Sequence, residues 1–373
     1  MVEHSNKKIN RIYLDYAATT PVDSAVDKAM WPYWTEKFGN PGSLHFFGQE
    51  AMAAVDESRE KIAAAIGAEF REIIFTGSAT EANNLALRGV VKYFDNLRTA
   101  AFRNQNNFAP AAKFSFPSTR RVPLKRNTKL GAPAGYSSRQ SVLSQNISPV
   151  RIIILEVEHE SILDTARDLE KEGVEVIYLA VDKRGFVDLK KLEKSLNDQT
   201  ILVSIMYANN EIGTIQPIAE IVSIIKNFRQ SISYKLKAKS LEAALPLLHT
   251  DAVQSFQYLD CDVNKLSVDL MTLSGHKIYG PKGIGVLYIR EANKANKLMK
   301  LKAIITGGGQ EFDFRSGTEN VPLIVGFAKA VELAVKNREQ ESKRIKNLRD
   351  YFWQKLKKIV PKAAINGSLI NRL

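Results

Sequence analysis

Seven short apolar runs, most of them rich in β-branched residues, recur along this chain. They are EIIFT (72–76), RIIILEVE (151–158), EVIYLAV (175–181), ILVSIMYA (201–208), LPLLHTD (245–251), LMTLS (270–274) and GVLYIR (285–290). Segments of helical period separate most of them, among them EANNLALRGVVKYF, ESILDTARDLEKEG and IAEIVSIIKNF. Strands of this length alternating with helices predict an α/β fold, with a mostly parallel seven-stranded sheet covered by helices on both faces. Ligands of such sheets bind beyond the carboxyl ends of the strands, so the residues that close each run are where chemistry is to be sought.

The rest of the chain sets limits on that reading. At 373 residues it is long for a single core, so a second, smaller domain is expected. A hydrophobic share of 45% with 25% charged residues is that of a globular protein. No apolar run approaches the ~20 residues of a membrane span, and MVEHSNKKINRIYLDY has no secretory pattern. One cysteine, Cys261, excludes an internal disulfide and fits a reducing compartment, so a cytoplasmic location is expected.

The net charge of +13 is local. Residues 97–150 carry nine Lys or Arg and no Asp or Glu, and the window reads as an inserted, disordered loop. Phe102, Phe108, Phe114 and Phe116 are interleaved with the basic residues, which is one way to bind nucleic acid; it is the weaker reading, and no nucleic-acid partner is expected. Residues 229–244 look like a smaller insertion. Residues 322–360 read as one long amphipathic helix, followed by AINGSLINRL, which resembles the start of a further element.

At the strand ends, EIIFT leads into Gly77-Ser78-Ala79-Thr80-Glu81. Ser78 and Glu81 have capping-box spacing, and a helix start with free N–H groups can seat a phosphate, although most such caps only cap. RIIILEVE is followed by His159, and a lone histidine at such a place is more often structural. ILVSIMYA is followed by Asn209-Asn210-Glu211, and LPLLHT by Asp251 with Gln254 three residues on. A carboxylate closing a buried strand is costly without a positive partner. LMTLS, ending at Ser274, is followed by Gly275-His276-Lys277. Each feature alone favours a bland reading. Together they offer what pyridoxal phosphate requires: an amine for a Schiff base, a carboxylate for the ring nitrogen and donors for the phosphate.

The chain resembles the cysteine desulfurases, a branch of the class V, fold type I pyridoxal-phosphate enzymes. The likeness runs through IYLDYAATTPV, FGNPGSLH, FTGSATEANNLAL, EHESILDT, ANNEIGTIQPI, HTDAVQS, VDLMTLSGHKIYGPKGIG and GGGQEFDFRSGTEN, nearly the whole chain apart from the two insertions. It implies that Lys277 is the Schiff-base lysine and that His159 stacks on the ring and assists proton transfer. It implies that Asp251 pairs with the ring nitrogen, that Gln254 bonds the ring hydroxyl, and that Asn210 lies by the ring hydroxyl and the substrate carboxylate. Ala79, Thr80, Ser274 and His276 would hold the phosphate, and Thr318 would reach the phosphate of a second copy in a homodimer. The implied reaction converts L-cysteine to L-alanine and passes the sulfur on as a persulfide, to an iron–sulfur scaffold or a tRNA-thiolation enzyme. The implied domains are a large one at 23–338 and a small, incomplete one at 1–22 plus 339–373.

The pattern is departed from in one respect. The family's persulfide cysteine and substrate-carboxylate arginine lie well beyond the RSGT element, and Cys261, placed before the lysine strand, reads as a small core residue. A truncated chain that lacks full activity is therefore the expectation. Another class V activity, such as a selenocysteine lyase or an aminotransferase, and a non-catalytic cofactor-binding remnant remain as alternatives.

Overall fold

The seven apolar runs all become strands of one sheet: β1 (Ile73–Thr76), β2 (Arg151–Leu155), β3 (Glu175–Leu179), β4 (Thr200–Ser204), β5 (Leu247–Asp251), β6 (Leu270–Ser274) and β7 (Gly285–Ile289). The structure, a computed structural model, describes residues 12–105, 149–236, 245–292, 297–298 and 301–373. The strand order is β1-β7-β6-β5-β4-β2-β3. The pairs β2/β3, β2/β4, β4/β5 and β5/β6 are parallel, and β7 runs antiparallel to both β1 and β6. A two-stranded ribbon, β8 (Glu291–Ala292) with β9 (Lys297–Leu298), lies apart from the sheet.

The helices are α1 (Ser24–Met30), α2 (Pro32–Thr35), α3 (Phe46–Ile66), α4 (Ala79–Gln105), α5 (Glu160–Lys171), α6 (Leu189–Ser195), α7 (Ile218–Leu236), α8 (Val263–Leu266) and α9 (Val321–Ile359). Every residue of β1, β4, β5, β6 and β7 is buried, as strands covered on both faces must be. Alternate residues of one strand serve opposite cores. Ile153 and Leu155 join a cluster with Ile62 and Ile66 of α3 and Phe327 and Val331 of α9. Ile152 and Ile154 join another with Leu85 and Val90 of α4 and Ile162 and Ala166 of α5. The period of two along the strand thus builds two hydrophobic layers, one on each side of the sheet.

The sequence expectations hold for the fold class and the sheet, and three details differ. Residues 156–158 and 205–208, expected as strand, lie beyond the regular strands β2 and β4, although Glu156 N still donates to the Leu179 carbonyl and Ile205 N and Tyr207 N to the His249 and Asp251 carbonyls. Residues 97–105, expected as inserted loop, are the last turns of α4, and residues 229–236, expected as insertion, are the end of α7. Neither stretch contains Gly or Pro, so nothing in it interrupts the helical hydrogen-bond ladder. Residues 106–148 and 237–244 of the expected insertions, with Phe108, Phe114 and Phe116 of the basic window, lie outside the described residues, and Pro149 and Val150 lead directly into β2.

Helix α9 matches the expected 322–360 span to within a residue and runs unbroken through 338 and 339. Its buried residues all fall between Val321 and Ala334; farther on, Leu348, Tyr351, Phe352 and Ile359 are exposed. Among the described residues no helix is long and apolar enough to cross a membrane.

Candidate active site

The carboxyl ends of the parallel strands open on a cavity of about 630 Å³. His159 comes from the turn after β2, Asn210 from the turn after β4, Asp251 from the last position of β5, and His276 and Lys277 from the turn after β6. Ala79 and Thr80, the first residues of α4, line the same space. Residues scattered over two hundred positions of sequence therefore share one rim, because in-register parallel strands end side by side.

Lys277 ends the short 3₁₀ turn Gly275–Lys277 and is half-buried. Its Nζ donates to the carbonyls of Ala17 and, at 2.9 Å, of Ala18. The segment that carries those carbonyls is zipped onto the lysine turn. Thr20 N and Oγ1 both donate to the His276 carbonyl, each at 3.0 Å, and Tyr279 N donates to Thr20 Oγ1 at 2.8 Å. Burial lowers the Lys277 pKa, and the carboxylates of Asp15 and Asp251 partly offset this. His276 is likewise lowered by burial, then by the charges of Lys277 and Lys282, and its Nδ1 lies 3.2 Å from Thr19 Oγ1.

Asp251 is buried, with Oδ2 accepting from Asn83 Nδ2 at 2.8 Å and Oδ1 from Val253 N at 2.9 Å. Burial raises its pKa, while the Asn83 and Val253 donors and then the charges of His159 and Lys277 pull it back. Each carboxylate oxygen retains capacity for another donor. His159 is the N-cap of α5, its Nδ1 accepting from Ser161 N at 3.1 Å and lying 2.9 Å from Ser161 Oγ. Glu158, its neighbour, points away into the protein, where Oε1 accepts from Met206 N at 2.6 Å. Burial, then the Met206 hydrogen bond in the opposite sense, then the charge of Asp251 leave Glu158 well above the usual carboxylate range.

At the start of α4, Ser78 Oγ accepts from Glu81 N at 3.1 Å, and Glu81 Oε2 reaches back to Gly77 N at 2.9 Å. The expected cap is present, with the return bond made one residue earlier than in a standard capping box. Arg315 fixes the same Glu81 through a 2.8 Å ion pair. The N–H groups of Ala79 and Thr80 have no helical carbonyl to bond, so this helix start is a ready seat for an anion.

Gln254 lines the cavity and donates to the Ala17 carbonyl at 3.1 Å, and Asn210 lines it beside Glu211. Its neighbour Asn209 is buried and holds the turn together, accepting from Glu211 N and Ile212 N. Ser274 is buried within β6 and Thr318 is exposed, and neither lines the cavity. Sequence reasoning missed Asp15, Ala17, Asn83 and Ser161. The first two lie in the quoted IYLDYAATTPV, and a strap rich in carbonyls next to a lysine turn leaves no signature of its own.

The arrangement brings together a partly desolvated amine, a buried carboxylate able to hold a positive nitrogen, a flat imidazole and an anion seat. Comparison with known proteins identifies the family. The class-V aminotransferase family matches residues 12–127 and 140–369. The chain is 41% identical over 362 residues to the cysteine desulfurase IscS of Dictyoglomus turgidum, covering 97% of this chain and 73% of that protein. A solved NifS-like protein superposes with a TM-score of 0.75 at 34% identity, covering 97% of this chain and 80% of the other. A structure described as SspA in complex with cysteine does so with a TM-score of 0.63 at 33% identity, covering 86% and 72%. The chain belongs to the class-V aminotransferase family, in its cysteine desulfurase branch.

Proposed function

We propose that this chain is a pyridoxal-phosphate-dependent cysteine desulfurase, taking L-cysteine to L-alanine and giving up the sulfur to a thiol. The observation that carries the reading is the convergence of Lys277, Asp251, His159 and the α4 start on one cavity. The residues present fit the cofactor. Asp251 is a buried carboxylate with spare acceptor capacity, Ala79 and Thr80 offer unpaired N–H groups, and Lys277 is an amine whose proton is loosened by burial.

Lys277 would hold the cofactor covalently, His159 would lie against its ring, and Asp251 would keep its ring nitrogen charged. Gln254 would bond the ring hydroxyl, Asn210 would lie by that hydroxyl and the substrate carboxylate, and Ala79, Thr80 and His276 would hold the phosphate. When bound, the cofactor supplies the electron sink for chemistry at the substrate α-carbon. The chain's own contribution is to position it, to exclude water, and to hold a mobile proton at Lys277 Nζ.

Cys261 does not take the sulfur. It is fully buried, and burial pushes its thiol up to about 12, so it has neither access nor thiolate character. The accepting thiol lies outside these 373 residues, on further polypeptide or on a partner such as an iron–sulfur scaffold or tRNA-thiolation enzyme. A second copy of the chain is part of the proposal, with the exposed Thr318 serving the neighbouring site. So is a reducing, cytoplasmic setting, supported by the free thiol of Cys261.

The test is direct. The purified chain, loaded with pyridoxal phosphate and given L-cysteine with dithiothreitol as sulfur acceptor, is expected to form alanine, and Lys277→Ala is expected to abolish both the yellow colour and the alanine. Alanine formation that survives Lys277→Ala would sink the proposal. Turnover of selenocysteine with none of cysteine would move it to a selenocysteine lyase.

A further inference from the structure

Asn83, on α4, is fully buried and donates from the same amide nitrogen to two acceptors. One is Asp251 Oδ2 at 2.8 Å and the other is Ser161 Oγ at 2.8 Å. Ser161 Oγ lies in turn 2.9 Å from His159 Nδ1. The directions of these bonds follow from proton counting alone. The backbone N–H of Ser161 points at His159 Nδ1, so that nitrogen is an acceptor and carries no proton. The Ser161 hydroxyl beside it must then donate its one hydrogen to Nδ1. Its oxygen is left to accept, which requires the nitrogen of Asn83 rather than its oxygen on that side. The second hydrogen of the same amide goes to Asp251. The Asn83 oxygen is left buried with no partner, and flipping the amide to relieve it would set that oxygen against the Asp251 carboxylate and break both donations.

We propose that Asn83 and Ser161 are positioning residues: the Asn83 amide donates to the Asp251 carboxylate on one side and to the Ser161 hydroxyl on the other, and that hydroxyl, together with the Ser161 N–H, locks His159 as its Nε2–H tautomer. The locked ring presents a donor, not an acceptor, to the cavity. It can gain a proton only at Nδ1, where two donors already point. His159 therefore orients whatever lies against it, and proton transfer in the site falls to Lys277. That last step rests on the desulfurase reading; the tautomer does not.

The test is read in the full chain without cofactor, labelled with ¹⁵N-histidine, by long-range imidazole ¹H–¹⁵N spectra above the protonation midpoint. His159→Gln identifies the resonances. The wild-type ring is expected to show an unprotonated Nδ1 and a protonated Nε2. Ser161→Ala and Asn83→Ala leave the Ser161 N–H on Nδ1 and remove or free the hydroxyl donation, so they are expected to admit a minor Nδ1–H population beside this pattern, and Ser161→Thr, which keeps the hydroxyl, to exclude it. A wild-type ring protonated on Nδ1 overturns the proposal without any variant, and so do variant spectra identical to wild type. A locked tautomer in a chain that binds no pyridoxal phosphate would leave this chain of bonds standing and remove the desulfurase reading. Cofactor binding with unchanged variant spectra would do the reverse.

Discussion

Arg59 of α3 and Glu311 form a two-pronged ion pair, both N–O distances 2.7 Å, although 252 positions separate them. Both side chains are buried, and Glu311 also accepts from Phe75 N at 2.8 Å, on the strand that leads to the α4 start. The rings of Phe75 and Phe312 flank the guanidinium at 4.7 and 5.0 Å. Glu311, Phe312 and Asp313 follow one another in the left-handed region, with φ of 50°, 57° and 68°, and the pair is what holds that turn in place.

Removing one partner leaves the other as a bare buried charge. Glu311→Ala is expected to cost about 3–5 kcal/mol in urea unfolding, a large share of a typical ~5–15 kcal/mol total. The double replacement Arg59→Met with Glu311→Leu should cost less than Glu311→Ala alone.

Gly285, at the start of β7, is where the sheet meets the α4 start. A Cβ there would lie 2.6 Å from the Ser78 carbonyl carbon and 2.8 Å from Ala79 N, both backbone atoms. Gly285→Ala is therefore expected to push the anion seat off the sheet. The expected cost is about 1–3 kcal/mol of stability, and the pyridoxal phosphate dissociation constant should rise about tenfold, equivalent to ~1.4 kcal/mol. Fluorescence titration with the cofactor reads the second effect.

Glu158 carries a pH dependence. Its pKa is raised in the folded state, so between the unfolded value, near 4.5, and the folded one the native chain binds more protons than the unfolded chain. Stability contributed by the protonated acid is fully present below the unfolded value and is lost as the pH rises through the folded one. Glu158→Gln, which keeps an acceptor for Met206 N, should be more stable than the parent chain at pH 7. The gain should vanish below pH 4.5. Urea unfolding at both pH values measures it; a gain independent of pH would show that charge is not the cause.

Phe38 and Phe47 stack at 6.3 Å and Phe46 meets Phe47 edge-on at 5.7 Å, all three at least half exposed. Leu44 beside them is 92% exposed. A patch of this kind is apolar surface that association would cover. Phe38→Glu with Phe46→Glu is expected to turn a dimer into a monomer in sedimentation equilibrium, with the fold intact by circular dichroism. A double variant that stays dimeric would place the interface elsewhere.

The sheet was legible because each strand is a short run rich in apolar residues, and the site because Asp251 ends such a run and His159 and Lys277 follow shortly after one. The tails were not. Val157, and Ile205 through Ala208, are as apolar as strand, yet the regular strands end before them; Ile205 and Tyr207 still bond to β5, and Met206 and Ala208 become cavity wall. The ends of α4 and α7 were hidden because polar and basic residues dominate their last turns and run on into the basic or polar stretches that follow, although Phe228, Ile232 and Leu236 keep a helical spacing. Asn83 and Ser161 were hidden for another reason. Their importance lies in what touches them across 78 positions of sequence, which no local pattern encodes.

The most direct measurement is to reduce the cofactor-loaded chain with borohydride, which fixes pyridoxal phosphate to any lysine that holds it, and to map the peptides by mass spectrometry. The expected result is one modified peptide, carrying the group on Lys277, and none in Lys277→Ala. A chain modified on a different lysine, or on none, would contradict the assignment of Lys277 and with it the desulfurase reading.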